Sequence, residues 1–142
     1  MRLKSFVLIE RENRYLLIQE ASAKWKGKWF LPGGGVKDDE TLEAGVKREV
    51  REEAGCDIEL TGVFFVKYHA GFFNRKVSVF YCGRMTGEKI KTEPDEESLD
   101  VKWFTYEELL LLPLRQNLKK LVEIYRSHTH FMAVEDFKLR DY

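Results

Sequence analysis

Residues 34–56 read GGVKDDETLEAGVKREVREEAGC, and this stretch decides the fold. Thr41 to Ala54 is expected as a helix. Thr41 is a suitable N-cap, with Asp38, Asp39, Glu40 and Glu43 around the positive end of the helix dipole. Gly55 suits the left-handed position that ends such a helix. Glu49, Glu52 and Glu53 stand at i, i+3 and i+4, so at about 100° per residue they share one side. Leu42, Val46, Val50 and Ala54 fill the neighbouring arc, which is expected to face the core. The three carboxylates therefore belong at the border between core and solvent, while Lys47 and Arg51 point outward.

Clustering carboxylates carries a cost. A like-charge i,i+4 pair destabilises an exposed helix by about 0.2–0.5 kcal/mol, and more where burial lowers the effective dielectric. A divalent cation converts the repulsion into attraction. With no His or Cys nearby in sequence, the oxygen donors favour a hard ion, Mg²⁺ or Mn²⁺, over zinc. A lone Glu-x-x-Glu-Glu is usually a solvated charged face. Here it is framed by Gly34, Glu40 and Arg48 at fixed spacing. An opposite-charge pair at that separation can tie loop to helix. The glycines let backbone groups approach metal and phosphate.

The segment resembles the Nudix box, Gly-x5-Glu-x7-Arg-Glu-U-x-Glu-Glu-x-Gly-U with U a bulky aliphatic residue. Every fixed position matches, and Cys56 at the final U is the one departure. The resemblance implies Glu49, Glu52 and Glu53 as metal ligands, with the Gly33 carbonyl as a further one. It gives Glu40 and Arg48 as the structural salt bridge of the box. Family members often draw another acid from a loop about six residues before a Trp-Phe strand. Glu97 stands six residues before Trp103, with Glu96 as the fallback. The catalytic carboxylates implied are Glu52, Glu53 and Glu97. The implied reaction is attack of water on phosphorus in a nucleoside diphosphate linked to a group X, with Mg²⁺ or Mn²⁺ as cofactor.

Outside the box, Phe6–Ile9 and Tyr15–Ile18 are expected as a β-hairpin around Arg11–Asn13. Residues 21–28 read as a lysine-bearing loop and Trp29–Leu31 as a short strand. Pro32 and the three glycines after it read as loop only. Val63–His69 and Lys76–Cys82 are expected strands joined through Gly71–Asn74. The acidic segment Glu93–Glu97 is a loop and Val101–Phe104 a strand. Pro113 is expected to open a last helix with Leu114, Leu118, Leu121, Val122 and Tyr125 on one face. Helices covering a mixed sheet, an α/β/α sandwich of the Nudix type, is the architecture these elements suggest. We expect one domain over residues 1–142.

The 142 residues are 44% hydrophobic and 13% aromatic, enough for a core. Twenty-four basic residues balance 24 acidic ones. No global field therefore draws the chain to long nucleic acid or a membrane, and the partner expected is a small-molecule nucleotide. Cys56 and Cys82 form no Cys-x-x-Cys pair and read as buried hydrophobes in a reducing compartment. The apolar run Phe6–Ile9 is too short for a signal or a span, so a soluble cytoplasmic protein is expected. His128 and His130 are poorly spaced for a metal pair. The tail Phe131–Tyr142 is expected to pack back as a strand or to meet a partner subunit in a homodimer.

Substrate choice lies outside the box. The proline that marks ADP-ribose hydrolases is absent, as are the tyrosine of dinucleoside polyphosphate hydrolases and the Ser-Gln-Pro-Trp motif of NADH hydrolases. Leu16–Ala21, Gly27–Pro32, Glu52–Cys56, Glu97–Leu99 before Trp103, and Leu112–Arg115 resemble the animal 8-oxo-dGDP phosphatase branch. That branch tends to carry Ala-Gly-Arg where this chain has Gly33-Gly34-Gly35, which removes a phosphate-contacting arginine. An oxidised guanine nucleotide is the leading single substrate. A nucleotide sugar, ADP-ribose, or a non-catalytic nucleotide- or RNA-binding role are the alternatives. Phe72 and Phe73 beside Gly71 and Asn74 are the main candidates for stacking on a base, with Phe6, Trp29 and Tyr68 behind them. Arg75 and Lys28, with Lys24 and Lys26, are candidates for holding phosphates. Arg115 is open between a functional and a helix-end role.

Overall fold

Strand β1, Arg2–Arg11, alternates its side chains between two cores. Val7 and Ile9 enter one buried cluster and Phe6 and Leu8 the other. Strand β2, Arg14–Glu20, does the same with Leu16 and Ile18 against Tyr15 and Leu17. A period of two with both faces apolar requires a layer on each side of the sheet. The computed structural model describes residues 1–127. The expectations placed on His128, His130 and the tail 131–142 lie outside the described residues.

The turn between β1 and β2 puts Glu12 at φ 51° and Asn13 at φ 63°. Two left-handed residues in a two-residue loop match the twist of the flanking strands. Strand β3, Trp29–Phe30, pairs with β2. The glycine run corrects the sequence reading. Gly33–Gly35 is strand β4, antiparallel to β1 with Ser5 opposite Gly34. Weak local propensity is overridden by pairing to a neighbour that glycine alone can approach. A Cβ on Gly33, at φ +145°, would lie 2.3 Å from the Ser5 carbonyl oxygen.

Helix α1 covers Leu42–Ala54. Thr41 Oγ1 accepts the Ala44 N–H at 3.1 Å. Gly55, at φ 70°, donates its N–H to the Val50 and Arg51 carbonyls. Strands β5, Ile58–Ala70, and β6, Arg75–Met85, form a hairpin longer than expected. Strand β6 runs parallel to β1 and the remaining pairs are antiparallel, so the sheet is mixed. Strand β7, Ser98–Phe104, pairs with β2.

One turn of helix, α2 (Tyr106–Leu109), follows with a capping box formed by Thr105 and Glu108. The last described helix, α3, covers Leu118–Ser127. It does not start at Pro113. Instead Trp29 donates its N–H to the Pro113 carbonyl and Arg115 donates to the Trp29 carbonyl, so 113–115 lie beside β3. Asn117 at φ 74° turns the chain into the helix.

Val46, Val50 and Ala54 of α1 pack on one face of the sheet, and Leu118, Leu121 and Val122 of α3 on the other. The expected α/β/α arrangement is therefore present. Cys56 and Cys82 are buried free thiols. No helix among the described residues is long and apolar enough to cross a membrane.

Candidate active site

The site is built on α1, because that helix has one face in the core and its neighbour against β4. Arg48 organises it. Its Nη2 donates to Glu40 Oε1 at 2.7 Å and its Nε to Glu40 Oε2 at 3.0 Å, a two-point contact. Nη1 donates to Glu49 Oε1 at 3.1 Å and to Glu52 Oε2 at 3.2 Å. Nη2 also reaches the Gly35 carbonyl at 3.0 Å. One guanidinium thus joins the box loop, the helix and the glycine strand. Arg48, with the Lys37 N–H, holds the Glu40 carboxyl far below its ordinary range, at about 2.

Oxygens of Glu49, Glu52 and Glu97 lie within 4.8 Å of one another. Glu53 is turned aside, with Oε1 accepting the Gly33 N–H at 2.8 Å in a buried position. Burial raises the proton affinity of Glu53 well above the usual carboxylate range. The Gly33 N–H opposes that shift, and the charges of Glu49, Glu20 and Glu97 add to it. Burial likewise raises Glu49, against the pull of Arg48. Among the described residues Arg48 is the one cation paired with Glu40, Glu49 and Glu52, so there the carboxylates outnumber their counter-charge. Hard oxygen donors this close together could hold a divalent metal ion.

Glu97 reaches the helix through contacts that no motif announces. Lys91 Nζ donates to the Glu52 carbonyl at 3.2 Å and to Ser98 Oγ at 3.0 Å, and it pairs with Asp95. Ser98 Oγ donates to the Glu53 carbonyl at 2.6 Å. Asp95 accepts the Glu97 N–H at 2.8 Å. The acidic loop is thereby fastened to the end of α1. Lys91, Asp95 and Ser98 are the positioning residues that sequence reading missed.

On the other face of the sheet, α3 and the 21–28 loop enclose a cavity of about 510 Å³, within the usual range of small-molecule sites. Phe6 and Lys24, both named from the sequence, line it. Arg115 lines it too, paired with Glu20 at 3.1 Å and set over Phe30 with its guanidinium carbon 4.4 Å from the ring centre. Phe72 and Phe73 do not line it. They sit at the tip of the β5–β6 hairpin, 94% and 90% exposed. Arg75, at the start of β6, and Lys28, beside Trp25, are also outside the lining. Trp29 is buried edge to face on Phe104, a packing role.

The sequence profile of the NUDIX domain matches residues 2–125. The human 8-oxo-dGDP phosphatase NUDT18 is 36% identical over 121 residues, 83% of this chain and 36% of that one. The nucleoside triphosphatase NudI of Enterobacter sp. (strain 638) is 31% identical, over 82% of this chain and 92% of that one. Among solved structures, the MutT NUDIX hydrolase from Burkholderia pseudomallei superposes with a TM-score of 0.73 at 27% identity, covering 89% of this chain and 98% of that one. The first curated relatives are longer proteins, of which this chain spans between 26% and 36%.

Proposed function

The chain belongs to the NUDIX family, and from that premise we propose that it hydrolyses a phosphoanhydride bond in a nucleoside diphosphate derivative, with Mg²⁺ as cofactor. The observation that carries this reading is the meeting of Glu49, Glu52 and Glu97 beside Arg48. These carboxylates, with the Gly33 carbonyl, would hold the cation. A bound divalent ion supplies charge neutralisation on the phosphate oxygens and lowers the pKa of water.

The residues of the chain do the rest. Arg48 keeps the carboxylates in register through Glu40. The hydrogen bond that the Gly33 N–H donates to Glu53 fixes the glycine strand against the helix. A carboxylate of the group Glu52, Glu53 and Glu97 takes the proton from the attacking water. The likeness to the human 8-oxo-dGDP phosphatase supports oxidised guanine nucleotides as the first substrates to try.

The test is turnover with Mg²⁺ on 8-oxo-dGDP, 8-oxo-dGTP, the ordinary nucleotides, ADP-ribose, a nucleotide sugar and a nucleoside diphosphate derivative with a further phosphate on its sugar, compared as kcat/KM. Release of phosphate or a nucleotide product on one of them is expected. No turnover anywhere in the panel would sink the hydrolase reading, and a strong preference for ADP-ribose would remove oxidised guanine.

A further inference from the structure

The wall of the cavity is a three-row ladder across β1, β6 and β5. The register sets Phe6 beside Phe80 and Phe80 beside Phe65, an aromatic row. Two residues along, Lys4 lies beside Ser78 and Ser78 beside Lys67. Two further along, Arg2 lies beside Lys76 and Lys76 beside His69. All nine line the cavity. Period-two alternation puts them on the face away from α1.

Arg2 and Lys76 sit directly opposite on neighbouring strands, a like-charge juxtaposition that works against the sheet. Lys24, Arg115 and Lys120 close over the rows from the facing segments. Seven lysine and arginine side chains therefore line one cavity, and among the described residues its lining contains no carboxylate. The whole chain has no such excess, with 24 basic and 24 acidic residues. The crowding is felt: burial and the charges of Arg115, Lys76, Arg2 and Lys24 bring the Lys4 amine down to about 8. Cations held together at a folding cost, next to an aromatic platform, suit a ligand that is planar at one end and multiply anionic at the other.

We propose that this cavity binds a phosphoryl group of the substrate other than the anhydride being cut, so that the preferred substrates are nucleotides carrying an additional phosphomonoester. The inference rests on the hydrolase reading and narrows its group X. A planar ring lies over Phe65, which packs on the buried Phe6–Phe80 pair, and the phosphomonoester meets Lys4, Lys67 and Lys76. An oxidised guanine nucleotide would satisfy the cavity only with a phosphoryl group on its sugar besides the diphosphate.

The test uses the intact chain in EDTA, so that no metal-bound anion contributes. Binding of adenosine 3′,5′-bisphosphate, 5′-AMP and adenosine is measured by calorimetry at low and high salt. The bisphosphate is expected to bind at least about tenfold tighter than AMP, and AMP tighter than adenosine, with the differences shrinking as salt rises. Lys4→Gln/Lys76→Gln is expected to weaken bisphosphate binding about tenfold or more while leaving adenosine unaffected. Lys67→Gln/Lys120→Gln changes exposed residues only and gives the same readout if the first variant does not fold. Equal affinity for adenosine and the bisphosphate, or unchanged bisphosphate affinity in a folded variant, would overturn the proposal. Absent turnover with intact anion binding would count against the hydrolase reading instead.

Discussion

Ser98 Oγ donates a 2.6 Å hydrogen bond to the Glu53 carbonyl, joining two residues 45 apart in sequence. That carbonyl lies in the last turn of α1, where backbone acceptors have no partner within the helix. Ser98 satisfies one of them and receives the Lys91 amine in turn. The loop carrying Glu97 is thus registered against the helix carrying Glu49 and Glu52.

Ser98→Ala should remove both contacts at a fully buried position. Leaving buried polar groups unpaired costs about 1–3 kcal/mol. Denaturant unfolding should show a loss of that size. Calorimetry should also show weaker Mg²⁺ binding, because Glu97 is no longer held at the cluster. Wild-type Mg²⁺ affinity in the variant would mean that the loop finds its place without Ser98.

Glu53→Gln keeps the shape of the side chain and an oxygen for the Gly33 N–H, but loses the charge. The variant should stay folded by circular dichroism and lose about 10²–10⁴-fold in kcat, the range for a lost acid–base carboxylate. Near-normal turnover would place the essential carboxylates among Glu49, Glu52 and Glu97 alone.

Mg²⁺ should stabilise the wild-type chain, since an ion that binds only the folded state adds about 2.7 kcal/mol at a hundred times its Kd. Thermal unfolding with and without the ion reads this directly. Glu49→Gln/Glu52→Gln should abolish the Mg²⁺-dependent rise in Tm and, with its like charges removed, melt no lower than wild type in EDTA. A Tm that still rises with Mg²⁺ would put the ion elsewhere.

Acid and base limbs of stability should have different owners. Hydrogen bonding to Arg48 depresses the Glu40 carboxyl to about 2 in the fold. A depressed carboxyl contributes stability above its ordinary value of 4.5, and that contribution is lost as pH falls from there towards 2. Glu40→Gln should therefore flatten the stability profile in that window. Lys4 has the opposite chemistry: burial disfavours its charged form, so its cost is full below about 8 and is relieved as pH rises from 8 to 10.5. Lys4→Met should be more stable than wild type at pH 7, and the gap should close by pH 10.5. Unfolding midpoints at pH 3, 5, 7 and 10 test both.

Substituting Gly33 tests the pairing of β4 with β1. Gly33→Ala places a Cβ 2.3 Å from the Ser5 carbonyl oxygen and 2.6 Å from Phe6 Cα, both backbone atoms with little freedom to move. We expect a large loss of stability in chemical denaturation. A tolerated alanine would show that β4 can leave β1 without consequence.

The helix of residues 42–54 was legible in the sequence because its determinants are local. Thr41 caps it, Gly55 ends it, and the spacing of Val46 and Val50 against Glu49, Glu52 and Glu53 fixes which side meets the core. The alternation in β1 and β2 was legible for the same reason, since a period of two is written along the chain. The family followed from these local patterns, and the chemistry proposed for Glu49 and Glu52 rests on them.

What the chain could not show by itself lies in contacts between distant segments. The glycines of β4 carry no strand signal, and only the nearness of Ser5 and Phe6 makes them a strand. Leu114 has the spacing of a helix face, yet the backbone of Trp29 draws it into an extended bridge, because a paired edge outweighs a continued helical pattern. The sequence cannot say which aromatics share a cavity: Phe72 and Phe73 stand exposed at the hairpin tip, outside its lining. The aromatic row lining it is Phe6, Phe80 and Phe65, one residue from each of three strands. Side-chain periodicity is a property of a single segment, whereas strand register, and so which cations share a cavity, is set only when the sheet closes.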